Sequence, residues 1–406
     1  MQTLLQINSG ACGSTGHIAE SIGLLAIKNG WKSYIAYGRK GLPSESSIIK
    51  IGTKWDVILH GIKTRLFDRH GFGSKHATIK LINTIIKIKP NIIHLHNVHG
   101  YYINIEILFN FLALANIPVV WTLHDCWAIT GHCAHFDRVG CFKWKTGCYS
   151  CPLKKGYTSS LWCDNSKMNY REKRLLFNSV NDLTLVPVSM WLEDIVNKSF
   201  LKEYPSKVIN NGVDLSIFSP QEQKYDIRRK IGIDDRFMIV GIASIWAPHK
   251  GFGDFLELSK YIDDNMVIVL VGLNKKQIKG LPSNIIGISR TENVNELAEI
   301  YSASDIFLNL TYADTFPTTN IESLACGTPI LTYNTCGSIE SVSPDTGFIV
   351  EKGDLFGVMK SIRIVKKKGK LSYSKACRNR SVSLYDKDDR FQEYFKLYDH
   401  LLEATQ

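Results

Sequence analysis

Two carboxylates, Asp314 and Glu322, stand eight positions apart in the stretch TYADTFPTTNIESLACGTPIL, residues 311–331. Asp314 falls in a polar loop. Glu322 falls inside a helix expected to open near Thr318 or Thr319. The first amides of such a helix, at Thr318, Thr319 and Asn320, have no partner within the helix and attract phosphate. Glu322 can accept hydrogen bonds from two vicinal hydroxyls, as a ribose offers, and Asp314 can hold the hydroxyls of a sugar. The spacing therefore suits a nucleotide sugar, with one acid at each end and a diphosphate on the amides between.

Three further groups could act with this pair. In IWAPHKGFGDF, Lys250 and Gly251 come just before a helix, where a lysine completes a phosphate pocket. In TLHD, His124 and Asp125 follow a strand, where a histidine can bond a polar ligand. The loop NSGACGSTGH brings Gly13, Ser14 and Gly16 to the start of the first helix, and glycines there let a ligand approach the backbone. The loop spells neither GxGxxG nor a Walker sequence, which argues against a nicotinamide or nucleoside-triphosphatase site. Taken singly, each group has a plain structural alternative: a tight turn, a core histidine, a surface lysine.

Strand-like and helix-like segments alternate on either side of these groups. TLLQIN, SYIAYG, NIIHLHNV, VVWTLHD and LTLVPVS read as strands of a first series. RFMIVGIASIW, MVIVLVG, DIFLNLT, PILTYN and TGFIVEKGD read as strands of a second. Helical segments separate them, so the expected class is α/β, with two Rossmann-like domains facing each other across a cleft. The expected domains are 1–205, with a Cys-rich insertion at 126–163, and 206–385. A closing helix over 386–406 is expected to pack back on the first domain. Asn211-Gly212 reads as a turn at the boundary, and RIVKKKGK, residues 363–370, as a solvated turn.

The chain has 406 residues, 44% hydrophobic and 21% charged, which suits a globular protein of two cores. Its net charge of +11 points to an anionic partner, although a lysine-favouring base composition gives the same balance. MQTLLQINSGACG lacks the basic and apolar regions of a signal peptide, and the apolar runs are too short or interrupted to span a bilayer. A cytoplasmic protein, resting peripherally on the inner face of the cytoplasmic membrane, is expected. No helix carries a concentrated basic stripe and no nucleic-acid motif occurs, so a nucleic-acid partner is not expected.

Six of the ten cysteines lie between Cys126 and Cys163. Cys133, Cys141, Cys148 and Cys151 follow C-x7-C-x6-C-x2-C, a pattern able to hold a structural zinc. His132, His135 and Cys126 are alternative ligands. An iron–sulfur centre and plain free thiols are the competing readings. Trp127, Phe136, Phe142, Trp144 and Tyr149 in the same segment can stack on a sugar, meet a membrane surface, or pack in a core.

As a set, these features resemble GT-B glycosyltransferases of family GT4 along essentially the whole chain. The matching residues are Asp314-x7-Glu322 with LACGTPI, the glycine loop at Gly13, Ser14 and Gly16, His124–Asp125, the NGVD of Asn211–Asp214, and Lys250–Gly251. The resemblance implies a retaining, metal-independent transfer from a UDP- or GDP-sugar to a glycan or polyprenyl-diphosphate-linked acceptor in surface polysaccharide synthesis. It implies no catalytic cofactor. His124, Asp125, Lys250 and Asp314 would be catalytic. Gly13, Ser14, Gly16, Lys250, Gly251, Thr318, Thr319, Asn320 and Glu322 would bind the donor. Three departures stand out: Asp314 replaces the usual Glu, Pro317 replaces a Gly and removes an amide, and Ile245 and Trp246 occupy the region of the usual Arg. A transferase acting on a soluble sugar or sugar phosphate, and a weak or inactive scaffold of this fold, are the alternatives.

Overall fold

The computed structural model describes residues 1–10, 13–41, 43–221, 224–233 and 235–404. Ala11 and Cys12 of the glycine loop lie outside them. The chain forms two units, 1–210 with 391–406 and 211–390, dividing after Asn210 and Arg390 where the sequence reading placed 205 and 385.

The first unit holds strands β1 (Thr3–Asn8), β2 (Lys32–Tyr37), β3 (Ser47–Lys50), β4 (Ile92–Leu95), β5 (Val119–Leu123) and β6 (Leu183–Pro187). They form one sheet in the order β3-β2-β1-β4-β5-β6, every neighbouring pair parallel. The second unit holds β7 (Phe237–Ile242), β8 (Met266–Val271), β9 (Ile285–Ile288), β10 (Ile306–Asn309), β11 (Ile330–Tyr333) and β12 (Gly347–Val350). Their order is β12-β11-β10-β7-β8-β9, again all parallel. Counted from its own first strand, each sheet has the doubly wound order 3-2-1-4-5-6. The fold is GT-B in type, two Rossmann-like units in tandem.

The central strands are unbroken apolar runs because helices cover both of their faces. β5, β6 and β8 are buried at every residue. In the first unit Leu4, Ile92, Val120 and Val186 of the sheet meet Ile18, Ile22 and Ala26 of the Ser14–Lys28 helix. Phe391, Tyr394, Phe395 and Tyr398 of the Lys387–Ala404 helix complete that core. Tyr398 shares a 2.7 Å hydrogen bond with His94 Nδ1, and Tyr394 accepts one of 3.0 Å from Thr122 Oγ1, so the helix is held by polar contacts as well as by burial.

Two local expectations are overturned. Asn211-Gly212 forms no turn; a Cβ on Gly212 would stand 2.4 Å from the Lys387 Cα, so the glycine permits close backbone approach. The lysine run is helical. The Leu355–Lys368 helix continues through Lys366, Lys367 and Lys368, whose positive charges complement the negative C-terminal end of its dipole, and stops at Gly369 with φ +78°.

Candidate functional site

In the second unit the candidate residues gather in loops at the carboxyl edge of the sheet. After β7 the chain makes a short 3-10 turn, Pro248–Lys250, and enters the Phe252–Leu258 helix through Gly251. Gly251 has φ +76°, and a Cβ there would lie 2.2 Å from the Leu310 carbonyl oxygen. Both constraints demand glycine, and the close approach sets the Lys250 loop beside the end of β10. The Tyr312 amide donates to His249 O at 2.8 Å, and Thr311 Oγ1 donates to the same oxygen at 3.2 Å. Lys250 Nζ then reaches Asp314 Oδ2 at 2.6 Å across 64 residues of sequence. Both side chains stay partly exposed, 29% and 20%, so the pair remains open to a ligand.

Glu322 lies one turn into the Thr318–Ala325 helix. Its carboxylate accepts hydrogen bonds from the Tyr301 hydroxyl at 3.0 Å and from the Thr318 side chain. Burial pushes the carboxyl up to about 7, with those two hydrogen bonds opposing the shift. The second acid thus titrates near neutrality. Thr318 and Thr319 open the helix half-buried, with Pro317 at the N-cap.

Asn320 has other work. Its amide already donates to Pro317 O. Its buried side chain donates to Ser338 O and Ser341 Oγ and accepts from Asn309 Nδ2. It ties the helix to β10 and to the 336–341 turn, so of the three expected amide donors the structure commits this one internally. The segment Leu324–Ile330 also reads structurally. Gly327 ends the helix at φ +68°, and Thr328 Oγ1 donates to Tyr301 O at 2.6 Å before the chain enters β11.

The region of the usual arginine is filled otherwise. Ile245 is 74% exposed, while Trp246 is buried with its indole N–H on Val271 O. Asp254, not singled out in the sequence, accepts from the hydroxyls of Tyr312 at 2.9 Å and Tyr333 at 2.7 Å, bracing the same loops. Tyr301, Tyr312 and Tyr333 were likewise not singled out. A buried tyrosine hydroxyl requires a partner, and that requirement was the available signal.

In the first unit, His124 and Asp125 follow β5 as expected, but they belong to a buried polar chain. His124 Nε2 lies 3.2 Å from His96 Nδ1, and His96 Nε2 lies 3.0 Å from Gln6 Oε1. Burial pushes His124 down to about 4. Asp125 accepts from His99 Nε2 at 2.8 Å and from the Trp127 amide at 2.8 Å. Burial alone would raise its carboxyl, but His99 and these hydrogen bonds hold it well below the usual range. His99, which also meets the Tyr157 hydroxyl at 3.1 Å, is a site candidate that the sequence reading passed over. Gly13, at φ +77°, precedes the Ser14–Lys28 helix; Ser14 is exposed and Gly16 buried.

The Cys-rich insertion is folded around short 3-10 turns at 127–129, 136–139 and 143–145. Trp127, Phe136 and Trp144 are buried core residues, whereas Phe142 and Tyr149 are exposed. Cys133, Cys141, Cys148 and Cys151 all line one cavity of about 20 Å³. Among the described residues, no three His, Cys, Asp or Glu side chains already stand arranged to hold a metal ion.

Residues 223–380 match the model of a family described as glycosyl transferases group 1. A protein of Escherichia coli strain K12 named for colanic acid biosynthesis glycosyl transfer, WcaC, is 30% identical over 219 residues, 50% of this chain and 52% of that protein. An Escherichia coli UDP-Gal:alpha-D-GlcNAc-diphosphoundecaprenol alpha-1,3-galactosyltransferase is 26% identical over 224 residues, 51% of this chain and 57% of that one. The chain thus spans about half the length of the curated relatives it matches. Among solved structures, the sucrose-phosphate synthase of Thermosynechococcus elongatus superposes with a TM-score of 0.75 at 15% identity, covering 100% of both chains. Anabaena HepE in complex with UDP gives 0.71 at 14% identity, covering 98% of this chain and 100% of that one. At these identities the superpositions establish the fold.

Proposed function

From the match of residues 223–380 to the glycosyl transferases group 1 model and the doubly wound fold, we propose that the protein transfers a sugar from a nucleoside diphosphate sugar to a glycan or lipid-linked acceptor in surface polysaccharide synthesis. The observation that carries this reading is the Lys250–Asp314 pair, 2.6 Å apart at the carboxyl edge of the sheet and still open to solvent. Lys250 is a cation for the leaving diphosphate, with Gly251 letting the phosphates approach and Thr318 and Thr319 offering helix amides. Asp314, released from Lys250 or sharing it, holds sugar hydroxyls. Glu322, fixed by Tyr301, accepts from the ribose.

Catalysis on this reading is positioning plus electrostatic stabilisation of the departing phosphate. The configuration is retained, the leaving phosphate takes the acceptor proton, and no divalent metal is needed. UDP and GDP are the two donor diphosphates considered. Gly13, Ser14 and Gly16 are kept as candidate donor contacts. His124 and Asp125, with His99, would orient the acceptor side. Glu322→Ala should abolish donor turnover while leaving the circular dichroism spectrum near wild type, at a cost of about 1–3 kcal/mol of stability from the orphaned Tyr301 hydroxyl. Wild-type turnover in that variant would sink the assignment. Thermal shift with UDP, GDP, ADP and CMP identifies the base by which diphosphate stabilises the protein. The departures at Ile245 and Pro317 favour one competing reading, a nucleotide-binding scaffold; diphosphate binding without turnover on any acceptor would select it.

A lipid-linked acceptor is supported by the Lys54–Phe67 helix. Its Trp55, Ile58, Leu59 and Ile62 recur at i, i+3, i+4 and i+7 and are 71%, 48%, 62% and 49% exposed, while its His60 and Thr64 are buried. An outward apolar stripe containing a tryptophan, flanked by Lys54, Lys63 and Arg65, suits an anionic membrane surface. No helix among the described residues is long and apolar enough to cross a membrane. Sedimentation with phosphatidylglycerol vesicles should capture the protein, and Trp55→Asp/Leu59→Asp should lower capture severalfold. Equal capture of both forms would discard this face.

A further inference from the structure

The Cys-rich insertion, which the transfer reaction leaves without a role, is assigned by the structure as a zinc site: we infer that Cys133, Cys141, Cys148 and Cys151 hold one zinc ion as four thiolates. These four sulfur-bearing side chains, though spread over 19 positions of sequence, line a single cavity of about 20 Å³, room for one ion. Three of them already make contacts of the kind ligands make. Cys133 is hydrogen-bonded to Cys151. Cys148 Sγ accepts the Gly131 amide at 3.2 Å, the kind of N–H···S contact that stabilises a thiolate.

One buried polar atom at the cavity, on His132, lacks an explanation in the thiol form, while the buried Lys173 nearby rests its Nζ 3.3 Å from the centre of the Trp127 ring. His132 lines the same cavity, and its Nδ1 is held by Asp68 Oδ1 at 2.5 Å. Among the described residues its buried Nε2 has no hydrogen-bond partner, an arrangement that costs free energy unless something in the cavity meets it. Lys173 is 1% exposed, and its Nζ donates to the carbonyls of Trp127 at 2.8 Å and Thr130 at 2.9 Å. Among the described residues no carboxylate pairs with it.

Binding displaces four thiol protons for one Zn²⁺, leaving a tetrathiolate of net charge −2. Lys173 then has a buried anion nearby, and His132 Nε2, when it carries a proton, can donate to a ligand sulfur. The sulfurs are drawn inward on binding, since they are not yet arranged around an ion. Four thiolates in a tetrahedron suit zinc or an iron–sulfur centre; the redox-inert ion suits a site whose surroundings, the buried Trp144 and Phe136, are packed as core. The site fixes the segment that follows Asp125, and therefore the loop carrying the first-unit candidates, independently of whether sugar transfer is the activity.

The test is elemental analysis of the full chain purified without chelator. About one zinc per chain is expected, lost in Cys148→Ser and Cys151→Ser and retained in Cys163→Ser, whose thiol lies outside the cavity. Should the serine variants fail to fold, Co²⁺ titration of chelator-stripped wild-type protein replaces them, with a thiolate-to-cobalt absorption band expected at one equivalent. Zinc far below one equivalent together with no such band overturns the site. A brown protein containing iron overturns the metal. Zinc kept in Cys141→Ser but lost in His132→Gln overturns the four-thiolate set in favour of an imidazole ligand.

Discussion

The two sheets have the same strand order, yet their carboxyl edges are furnished in opposite ways. At the second edge, a lysine and an aspartate pair at 2.6 Å with both side chains partly exposed. At the first, His96, His99, His124 and Asp125 are largely buried and satisfy one another, and Asp125 also accepts the Trp127 amide. Burial drives the two edges apart electrostatically. It keeps His124 neutral near pH 7, while His99 and the Trp127 amide keep Asp125 ionised against it. A polar group that is already satisfied positions its neighbours, whereas one left open is available for a ligand. The comparison assigns binding and leaving-group stabilisation to the second edge and orientation to the first.

Exchanging charge for neutrality at each edge gives the largest contrast. Lys250→Ala should lower donor turnover by roughly 100-fold or more, the loss typical of removing one electrostatic stabiliser of a transition state, with little change in thermal unfolding. Asp125→Asn should do the reverse. It should cost about 1–3 kcal/mol of stability through broken buried hydrogen bonds and leave donor-diphosphate affinity within about twofold. Steady-state kinetics, nucleotide titration and urea melts on the two variants decide it. A stable Asp125→Asn with weakened nucleotide binding would erase the distinction.

A smaller effect comes from pH. The Glu322 carboxyl is raised to about 7 by burial, above its ordinary value of 4.5. Between those values the folded state holds a proton that the unfolded state has lost, so this group's contribution to stability falls as pH rises from 4.5 to 7. If the ionised carboxylate receives the ribose hydroxyls, donor binding must release that proton. Affinity should then fall on acidification, by about tenfold from pH 7.5 to pH 6, and Glu322→Gln should flatten the dependence. A wild-type profile flat across this window would remove Glu322 from donor contact.

How legible these edges were in the sequence follows from the range of their contacts. Lys250–Gly251 and Asp314-x7-Glu322 were visible because each places its chemistry within one loop and one helix turn. That Lys250 and Asp314 meet was not visible, since the contact depends on Gly251 admitting the Leu310 carbonyl. The tyrosines that hold Glu322 and Asp254 were hidden because an apolar-looking position in a helix or strand does not announce its hydroxyl's partner. His99 was hidden in a loop after a strand whose own histidines looked like core. The sheet was largely readable from its buried strands. β3 and the Lys54–Phe67 helix were not, because β3 is mostly exposed and the helix turns its apolar residues outward, against the usual pattern.

The return of residues 391–404 to the first unit has a consequence for how the chain is made. Phe391, Tyr394, Phe395 and Tyr398 close a core whose other walls come from the first 210 residues. During synthesis that core stays open while all of the second unit is translated, a wait on the order of ten seconds or more at ordinary elongation rates. The second unit, continuous from 211 to 390, can finish first. A premature stop just after Arg390 would therefore damage the unit encoded farther upstream and spare the one encoded beside the lesion.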